Sequence, residues 1–175
     1  MNKKMIPDDS LVIMVGIPGS GKSTISKNSE MLKNANVISS DEIREKLFGN
    51  EADNSNNTLV FDTFYSKIEE SLKEGKLTVA DSTAINRNTR KQLYLIAAKY
   101  NRPIRLVIMN IQKEVAKYRN SNRSRVVPDE IIDKMYDRLL DEYNYINEEV
   151  EKLKEIDRVD ISAIDIINIK ERDER

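Results

Sequence analysis

The sequence predicts an α/β fold in which helices cover both faces of a parallel sheet of four to five strands. Two observations favour this fold: short apolar segments of strand length alternate with segments of helical length, and a helix separates each strand from the next. Parallel neighbours require such crossover helices, which pack against the sheet. The 175 residues suffice for one domain with a hydrophobic core, so we expect residues 1–175 to form a single domain.

The strands are expected where short apolar runs end in polar or glycine-rich turns. The first run, L-V-I-M-V, precedes a glycine-rich turn, whereas the last, R-V-D-I-S, is only a candidate, which is why four to five strands are predicted. The strands are therefore expected at residues 11–15, 37–39, 77–80, 104–109 and 158–162.

Boundary signals place the helices between these strands. Asn57, the last residue of a polar loop, can cap the helix that follows, and Gly75 suits the C-terminal end of that helix. The segment N-R-P (101–103) breaks the next helix, and Pro128 lies at about the first turn of the last one. The helices are expected from about Lys22 and at residues 41–48, 58–74, 88–100, 113–121 and 129–153.

Composition excludes several kinds of protein. The chain has no cysteine, which excludes disulfides, thiolate catalysis and cysteine-based zinc sites. It has no histidine either, so any proton abstraction near neutral pH falls to a carboxylate, a lysine or a tyrosine. The N-terminal region lacks the apolar segment of a signal peptide, and residues 11–15 are too short to span a bilayer. We therefore expect a cytoplasmic protein without a membrane partner.

The charge distribution along the chain is uneven. Residues 86–125 contain eleven Lys or Arg and one acid, whereas the rest of the chain contains eighteen basic and twenty-nine acidic residues. A concentrated basic segment is typical of proteins with a polyanionic partner, although a solvated basic helix face and ATP-binding arginines would produce the same pattern.

The segment G-I-P-G-S-G-K-S (16–23) matches the phosphate-binding pattern G-x-x-x-x-G-K-[ST] at every fixed position. Its backbone N–H groups can wrap a phosphate, and the following helix adds its positive N-terminus. Lys22 is predicted to reach the β- and γ-phosphates of ATP, and the Ser23 hydroxyl to bind Mg²⁺. The predicted ATP-binding residues of this P-loop are Gly16, Gly19, Ser20, Gly21, Lys22, Ser23 and Thr24.

The absence of other motifs narrows the class of P-loop protein. The chain has no N-K-x-D guanine-specificity motif, no D-x-x-G switch and no L-S-G-G-Q transporter element. Asp81, at the end of the third predicted strand, is followed by Ser82 and not by the glutamate with which motor ATPases activate water. These absences favour a small P-loop kinase, which passes the γ-phosphate to an acceptor other than water.

Two aspartates are expected beside the P-loop, because ligands bind at the carboxyl ends of parallel strands. Asp41 follows the second strand and could act as the base for an acceptor hydroxyl, with Arg44 on the same helix face to hold a charged acceptor. Asp81 follows the third strand and could contact Mg²⁺ or hold Arg44. The alternative is structural, since Asp41 or Ser40 could cap one helix and Asp81 another.

The remaining candidate site residues are arginines. R-N-S-N-R-S-R-V-V-P (119–128) joins two helices, and an arginine-rich turn of this kind is typical of a lid over ATP, here at about residues 113–130. Its arginines, Arg119, Arg123 and Arg125, could also form a basic surface turn. Arg87 and Arg90 lie in the helix after Asp81, and Arg87 is a candidate for acceptor binding.

Over roughly residues 10–140 the chain resembles the kinase domain of phage and bacterial polynucleotide 5′-kinases, within a P-loop group that also holds the zeta-toxin-like kinases. The resemblance rests on G-I-P-G-S-G-K-S-T, S-S-D-E-I-R, V-A-D-S-T-A-I-N-R-N-T-R and R-N-S-N-R-S-R-V-V-P. It implies transfer of the γ-phosphate of ATP to the 5′-hydroxyl of DNA or RNA, a reaction of nucleic acid repair.

By position, the resemblance makes Asp41 the general base and Arg44 a contact to the acceptor's phosphate. Asp81 supports the site and lies with Ser23 at the metal. Arg119 and Arg123 belong to the lid. Ser124 stands where the family usually has glycine, so either Arg123 or Arg125 could contact the γ-phosphate. No phosphatase motif D-x-D-x-T occurs, so 3′-phosphate removal and ligation would need separate partner proteins.

Two other functions compete with a polynucleotide kinase. One is a small-molecule kinase acting on a sugar, nucleoside or nucleotide-sugar. The other is a nucleotide-binding module without activity, which the aspartates at two strand ends argue against. Oligomeric state and the choice between DNA and RNA are not predicted.

Overall fold

The structure, a computed structural model, describes residues 6–165 and contains a five-stranded parallel sheet. The strands are ordered β2-β3-β1-β4-β5 across the sheet, with β1 at the centre. The predicted α/β fold is confirmed, with the larger of the two expected strand numbers. The strands are β1 (Leu11–Val15), β2 (Asn36–Ser39), β3 (Thr78–Asp81), β4 (Ile104–Ile108) and β5 (Ile161–Asp165).

Six α-helices connect or follow these strands within the described range, and a short 3₁₀ helix lies at Glu30–Leu32. Their bounds are α1 (Lys22–Asn28), α2 (Ser40–Phe48), α3 (Asn57–Lys73), α4 (Arg87–Lys99), α5 (Lys113–Ser121) and α6 (Asp129–Ile156). None of them is long and apolar enough to cross a bilayer.

The sheet separates two hydrophobic cores, because successive side chains of a strand point to opposite faces. Leu11, Ile13 and Val15 of β1 belong to the larger core, which also contains side chains of α3, α4 and α6. Val12 and Met14 belong to the smaller core, against which Ile25 of α1 packs. Helices therefore cover both faces of the sheet, as predicted, but the hydrophobic core on one face is larger than the core on the other.

Two predicted boundaries are corrected by the structure. Asn56, and not Asn57, caps α3, since its Oδ1 accepts a hydrogen bond from the N–H of Leu59 at 3.0 Å. The fifth strand begins at Ile161, because α6 continues to Ile156 and the chain then turns through Arg158, whose φ is +54°. Neither change alters the sheet edge on which the site lies.

Candidate active site

The carboxyl ends of three strands bring the predicted residues to one edge of the sheet. Asp81 is in register with Met14 of β1 on one side and with Ser39 of β2 on the other. The P-loop follows β1 directly, and Asp41 lies two residues beyond Ser39. The strand ends therefore converge as expected for a parallel sheet.

The P-loop is tightly packed against its surroundings. The N–H of Gly16 donates to the carbonyl of Thr83 at 3.0 Å, which ties the start of the loop to the segment after β3. Gly19 has a φ of +81°, and a Cβ there would lie 2.2 Å from the carbonyl oxygen of Ala116 in α5. Glycine is required at this position for both reasons.

Lys22 extends along the inside of the P-loop. Its Nζ donates to the carbonyls of Gly16 at 2.8 Å and Ile17 at 3.0 Å. Burial of the ammonium lowers the pKa of Lys22 to about 8, an effect that the nearby charge of Asp81 opposes and that of Arg123 reinforces. The cation is thus held where the phosphates of a nucleotide in this loop would lie.

Ser23 and Asp81 are in direct contact. The Ser23 hydroxyl donates to Oδ2 of Asp81 at 2.9 Å. A hydroxyl and a carboxylate are hard oxygen ligands of the kind that Mg²⁺ binds together with substrate phosphates and water. Residues 6–165 contain no cluster of three or more acidic residues that could enclose a metal without the nucleotide. The residue set therefore fits a Mg²⁺ ion that arrives with ATP.

Asp41 does not cap its helix. Ser39 is the N-cap of α2, since its Oγ accepts from the N–H of Glu42 at 3.3 Å, so capping by Asp41 or by Ser40 is wrong. The carboxylate of Asp41 instead lies in the cleft and is 27% exposed. This leaves its oxygens available to other groups.

Three arginines surround the carboxylate of Asp41. Arg44 donates to Oδ1 at 2.8 Å, Arg125 also binds Oδ1, and Arg123 lies 3.5 Å from Oδ2. Of these, Arg44 comes from the same helix, whereas the other two come from the segment between α5 and α6. The predicted lid therefore contacts the predicted base directly.

Arg44 is almost fully buried, with its side chain 5% exposed. Besides Asp41 it binds Oδ1 of Asn57 at 3.2 Å, and its Nε is a buried donor with no hydrogen-bond partner. Burial lowers the pKa of Arg44, and the charge of Arg125 lowers it further. A buried guanidinium with a free donor and a second cation beside it is well suited to an anionic ligand.

A cleft of about 950 Å³ joins these groups. Six of the predicted ATP-binding residues of the P-loop line it, and so do the acceptor and metal candidates at the strand ends and two arginines of the predicted lid. The lining residues of these groups are Gly19, Ser20, Gly21, Lys22, Ser23, Thr24, Asp41, Arg44, Asp81, Arg123 and Arg125. Gly16 lies at the base of the P-loop, outside the lining.

The cleft also has an apolar wall that the motif analysis missed. Phe61 comes from α3, Val126 and Val127 from the segment after α5, and Ile131 and Met135 from α6. The exposed fraction of Val126 is 57%, which is high for a valine. These residues carry no chemical motif, and their positions depend on how α3 and α6 pack, so the sequence offered no signal for them.

The predicted lid contacts both sides of the cleft. Arg119 donates to the carbonyl of Ser20 in the P-loop at 3.3 Å. Ser124 donates to Oε1 of Glu51 at 2.8 Å, across the mouth of the cleft. The serine that replaces the family's glycine thus has a partner of its own, and Glu51 is a cleft residue that sequence reasoning missed.

Arg87 does not join the other candidates. Its Nε donates to Oε1 of Glu142 at 2.9 Å, and its guanidinium lies 3.5 Å from the ring centre of Tyr145. Both partners belong to α6, and Arg87 is absent from the lining of the cleft. Its role in acceptor binding stays a prediction, without support from this geometry.

Ion pairs partly offset the positive charge of the basic segment 86–125 in the folded chain. Acidic residues from distant segments pair with most of its cations. The pairs are Arg87 and Arg90 with Glu142, Lys99 with Glu69, Arg102 with Asp9, Arg105 with Asp160, and Lys113 and Lys117 with Asp133. These pairs lower the net charge of the segment without cancelling it, so the polyanionic partner stays a prediction.

Comparison with protein families and curated proteins identifies relatives. A family model described as an AAA domain matches residues 11–141. A curated relative, the putative bifunctional polynucleotide kinase/RNA ligase of Autographa californica nuclear polyhedrosis virus, is 28% identical over 172 residues. That match covers 83% of this chain and 24% of the relative, so the chain spans about a quarter of its length. The predicted resemblance to polynucleotide kinases is confirmed.

Solved structures share the fold. A chain of the Pnkp1/Rnl/Hen1 RNA repair complex has a TM-score of 0.67 at 20% identity, over 80% of this chain and 45% of that one. A chain of AvrRxo1-ORF1:-ORF2 with ATP has a TM-score of 0.63 at 13% identity, over 80% of this chain and 50% of that one. A gluconokinase from Sinorhizobium meliloti 1021 has a TM-score of 0.55 at 17% identity, over 91% of this chain and 83% of that one. At these identities the likeness is one of fold, that of P-loop kinases.

Proposed function

This chain belongs to the AAA domain family, and we propose that it is an ATP-dependent polynucleotide kinase. It transfers the γ-phosphate of ATP to the 5′-hydroxyl end of DNA or RNA. One observation carries the proposal: the P-loop shares a cleft with Asp41 and with the buried, incompletely bonded Arg44. The carboxylate suits a hydroxyl acceptor, and the guanidinium suits a phosphate beside that hydroxyl.

ATP is held by the P-loop. The backbone N–H groups and the N-terminus of α1 bind its phosphates, and Lys22 leaves the carbonyls of Gly16 and Ile17 for the β- and γ-phosphates. Ser23 and Asp81 hold Mg²⁺, which when bound neutralises charge on the phosphate oxygens.

In the transfer step the acceptor oxygen attacks the γ-phosphorus while the bond from that phosphorus to the oxygen bridging it to the β-phosphorus breaks. Asp41 takes the proton of the attacking hydroxyl, and ADP leaves with the bonding electrons. Lys22 and Arg123 stabilise the charge on the transferred group. Water is a poor competitor if the acceptor fills the apolar side of the cleft.

The lid arginines have to exchange partners during this reaction. Arg123 and Arg125 both bind Asp41, and the phosphates of the two substrates offer them more strongly charged partners. Their departure frees the carboxylate of Asp41 for the acceptor hydroxyl. Substrate binding thereby prepares the base.

Two features favour a nucleic-acid acceptor over a sugar. The free Nε of Arg44 can bind a phosphate, which simple sugars lack. The apolar wall around Ile131 and Met135 can pack against a nucleobase. The name of the viral relative, a polynucleotide kinase joined to an RNA ligase, supports the same acceptor. A ligase or phosphatase partner, on the same or another polypeptide, is part of this proposal, as is a place in nucleic-acid repair.

A small-molecule kinase is the second candidate, because the structural match to the gluconokinase covers 91% of this chain and 83% of the gluconokinase chain. The deciding experiment offers γ-labelled ATP with a 5′-hydroxyl oligonucleotide of DNA or RNA, and separately with sugars and nucleosides. We expect label in the oligonucleotide, and none when its 5′ end is already phosphorylated. Label in a sugar but not in the oligonucleotide would assign the second function.

The two lid arginines are expected to have different roles. The charge of Arg123 acts on Lys22, whereas that of Arg125 acts on Arg44, which suggests that Arg123 faces the phosphates and Arg125 the acceptor. We expect Arg123→Ala to lower kcat by about 10²-fold, as loss of one transition-state donor does. Arg125→Ala should mainly raise the KM of the oligonucleotide. Steady-state kinetics with each substrate varied will distinguish them, and equal effects on kcat would contradict the assignment.

A further inference from the structure

Arg90 lies at the centre of a buried network behind the active site. Its side chain is fully buried, with 0% exposure. One terminal nitrogen binds Glu142 at 2.6 Å, and Nε binds Glu149 at 3.1 Å. Burial disfavours its charge, but these two carboxylates more than offset that and raise the pKa of Arg90. The guanidinium is therefore firmly charged and fixed in place.

The remaining terminal nitrogen of Arg90 binds the loop that follows β3. It donates to the carbonyls of Ala84 and Ile85, each at 2.9 Å. Ala84 has a φ of +51°, a left-handed conformation that costs free energy for a residue with a Cβ. Strain of this kind persists only where the surroundings hold it, and it concentrates at functional sites. Arg90 is the group that holds it here.

The strained loop is connected to the candidate active site on both of its sides. Asp81, which binds Ser23, precedes it. Thr83 accepts a hydrogen bond from the N–H of Gly16, the first residue of the P-loop. Ser82 and Thr83 line the cleft. A shift of the loop would therefore move both the metal candidate and the start of the phosphate-binding loop.

The same arginine reaches the helix that forms part of the cleft. Glu142 and Glu149 belong to α6, whose first two turns contribute Ile131 and Met135 to the apolar wall. The buried hydroxyl of Tyr94 in α4 also donates to Glu149. Arg90 thus links α4, α6 and the loop after β3 through one planar group.

We propose that Arg90 is a positioning residue for phosphoryl transfer: it holds the strained loop 82–85 so that Asp81 and the P-loop keep their catalytic alignment. This inference rests on the proposed kinase function. The geometry requires arginine, because a lysine has a single nitrogen and cannot bind two carboxylates and two carbonyls that lie on different sides of it. A role in stability alone would not require contacts to the carbonyl beside the strained residue.

The test begins with Arg90→Lys, which keeps the charge but loses the divergent contacts. We expect kcat to fall about 10²-fold, since misplacement of catalytic groups by about 1 Å has this effect. Nucleotide-binding stoichiometry, measured by calorimetry, should stay at one per chain. Hydrogen exchange should become faster at the Gly16 amide and in residues 81–86.

Arg102→Lys is the matched control. Arg102 also joins a main-chain carbonyl, that of Leu72, to a carboxylate, that of Asp9, but it precedes β4 at the opposite edge of the sheet. This variant should lower the melting temperature while kcat and the exchange of Gly16 remain unchanged. Each variant is assayed at a temperature the same number of degrees below its own melting temperature. An equal loss of kcat in both variants under these conditions would overturn the proposal.

Substitutions of Ala84 test the strain directly. Ala84→Gly removes the penalty of the left-handed conformation, so in the Arg90→Lys background it should restore kcat about five- to thirtyfold. Ala84→Val leaves Arg90 and its ion pairs intact but increases the strain, and it should lower kcat even if Arg90→Lys fails to fold. Full activity of Ala84→Val would overturn the proposal.

The outcome does not depend on the identity of the acceptor. Turnover is measured with whichever acceptor the wild-type chain phosphorylates, and the hydrogen-exchange experiment requires none. If the oligonucleotide is not phosphorylated but a sugar is, the proposed acceptor fails while the positioning role of Arg90 is still tested. If exchange in residues 81–86 is unchanged in Arg90→Lys, the positioning role fails on its own.

Discussion

Replacing Asp41 with alanine is expected to lower the rate of phosphate transfer by as much as about 10⁴-fold, the upper range for loss of a general base. Asp41 is a carboxylate of α2 that lies in the cleft with Lys22 and binds the lid arginines, and the chain has no histidine that could take its place. The measurement is single-turnover transfer from γ-labelled ATP to the oligonucleotide.

The same substitution should leave ATP binding intact. Arg123 and Arg125 bind Asp41, and in the proposed mechanism they leave this carboxylate when the substrates bind. A partly exposed ion pair contributes up to about 1 kcal/mol, so removing Asp41 should leave the Kd of ATP unchanged or tighten it up to about fivefold. A Kd weakened tenfold or more would show that Asp41 acts in ATP binding instead.

Two further variants separate catalysis from folding. Asp41→Asn keeps an oxygen that can accept from the buried Arg44 but cannot take a proton efficiently, so it should be as inactive as the alanine variant. Glu45→Ala removes an exposed carboxylate from the same helix and should retain full activity. If either Asp41 variant keeps wild-type turnover, Asp41 is not the base.

Replacing Lys22 with alanine is expected to abolish transfer, with a loss on the order of 10³–10⁵-fold, the range observed for a cation on the transferred phosphate. Unlike the Asp41 variants, Lys22→Ala should also weaken ATP binding, because its Nζ lies inside the phosphate-binding loop. Lys33→Ala, on the surface, is the control. Wild-type transfer by Lys22→Ala would contradict the role of the P-loop in catalysis.

The pH dependence of ATP binding provides a second measurement on Lys22. Burial lowers the pKa of Lys22 to about 8, and bound phosphates favour its protonated form. The affinity for ATP should therefore be highest below pH 8 and should decrease as the pH rises, by about tenfold between pH 7 and pH 9. Lys22→Arg should remove this dependence, since arginine stays charged. A flat profile for the wild-type chain would exclude Lys22 as the titrating group.

The secondary structure and the position of the site could be predicted because their signals are local. The strand L-V-I-M-V is apolar throughout because it is buried on both faces, and the P-loop pattern occupies consecutive residues. Parallel strands then bring Asp41 and Asp81 to the P-loop, whatever the detailed packing. Helix caps were less predictable, since Ser39, Ser40 and Asp41 are all good capping residues and only the backbone conformation selects Ser39.

Charge pairing could not be predicted in the same way. Arg87 and Arg90 belong to a motif that suggests ligand binding, yet Glu142, more than fifty residues further along the chain, binds both. Such distant carboxylates pair with most of the cations in the basic segment 86–125. A carboxylate on α6 finds its arginine only when that helix packs beside α4, and residue spacing carries no information about this contact.

The sequence by itself therefore determined the parallel α/β fold, the phosphate-binding loop and the sheet edge where the catalytic candidates meet, because periodicity, turn residues and contiguous motifs act locally. Only the tertiary structure decided which arginines face the cleft, that the lid contacts Asp41, and that Arg90 supports the loop after β3. These features depend on contacts between side chains that lie far apart in the chain, and the packing of α6 against β5 and of α5 against α6 helps to bring them together.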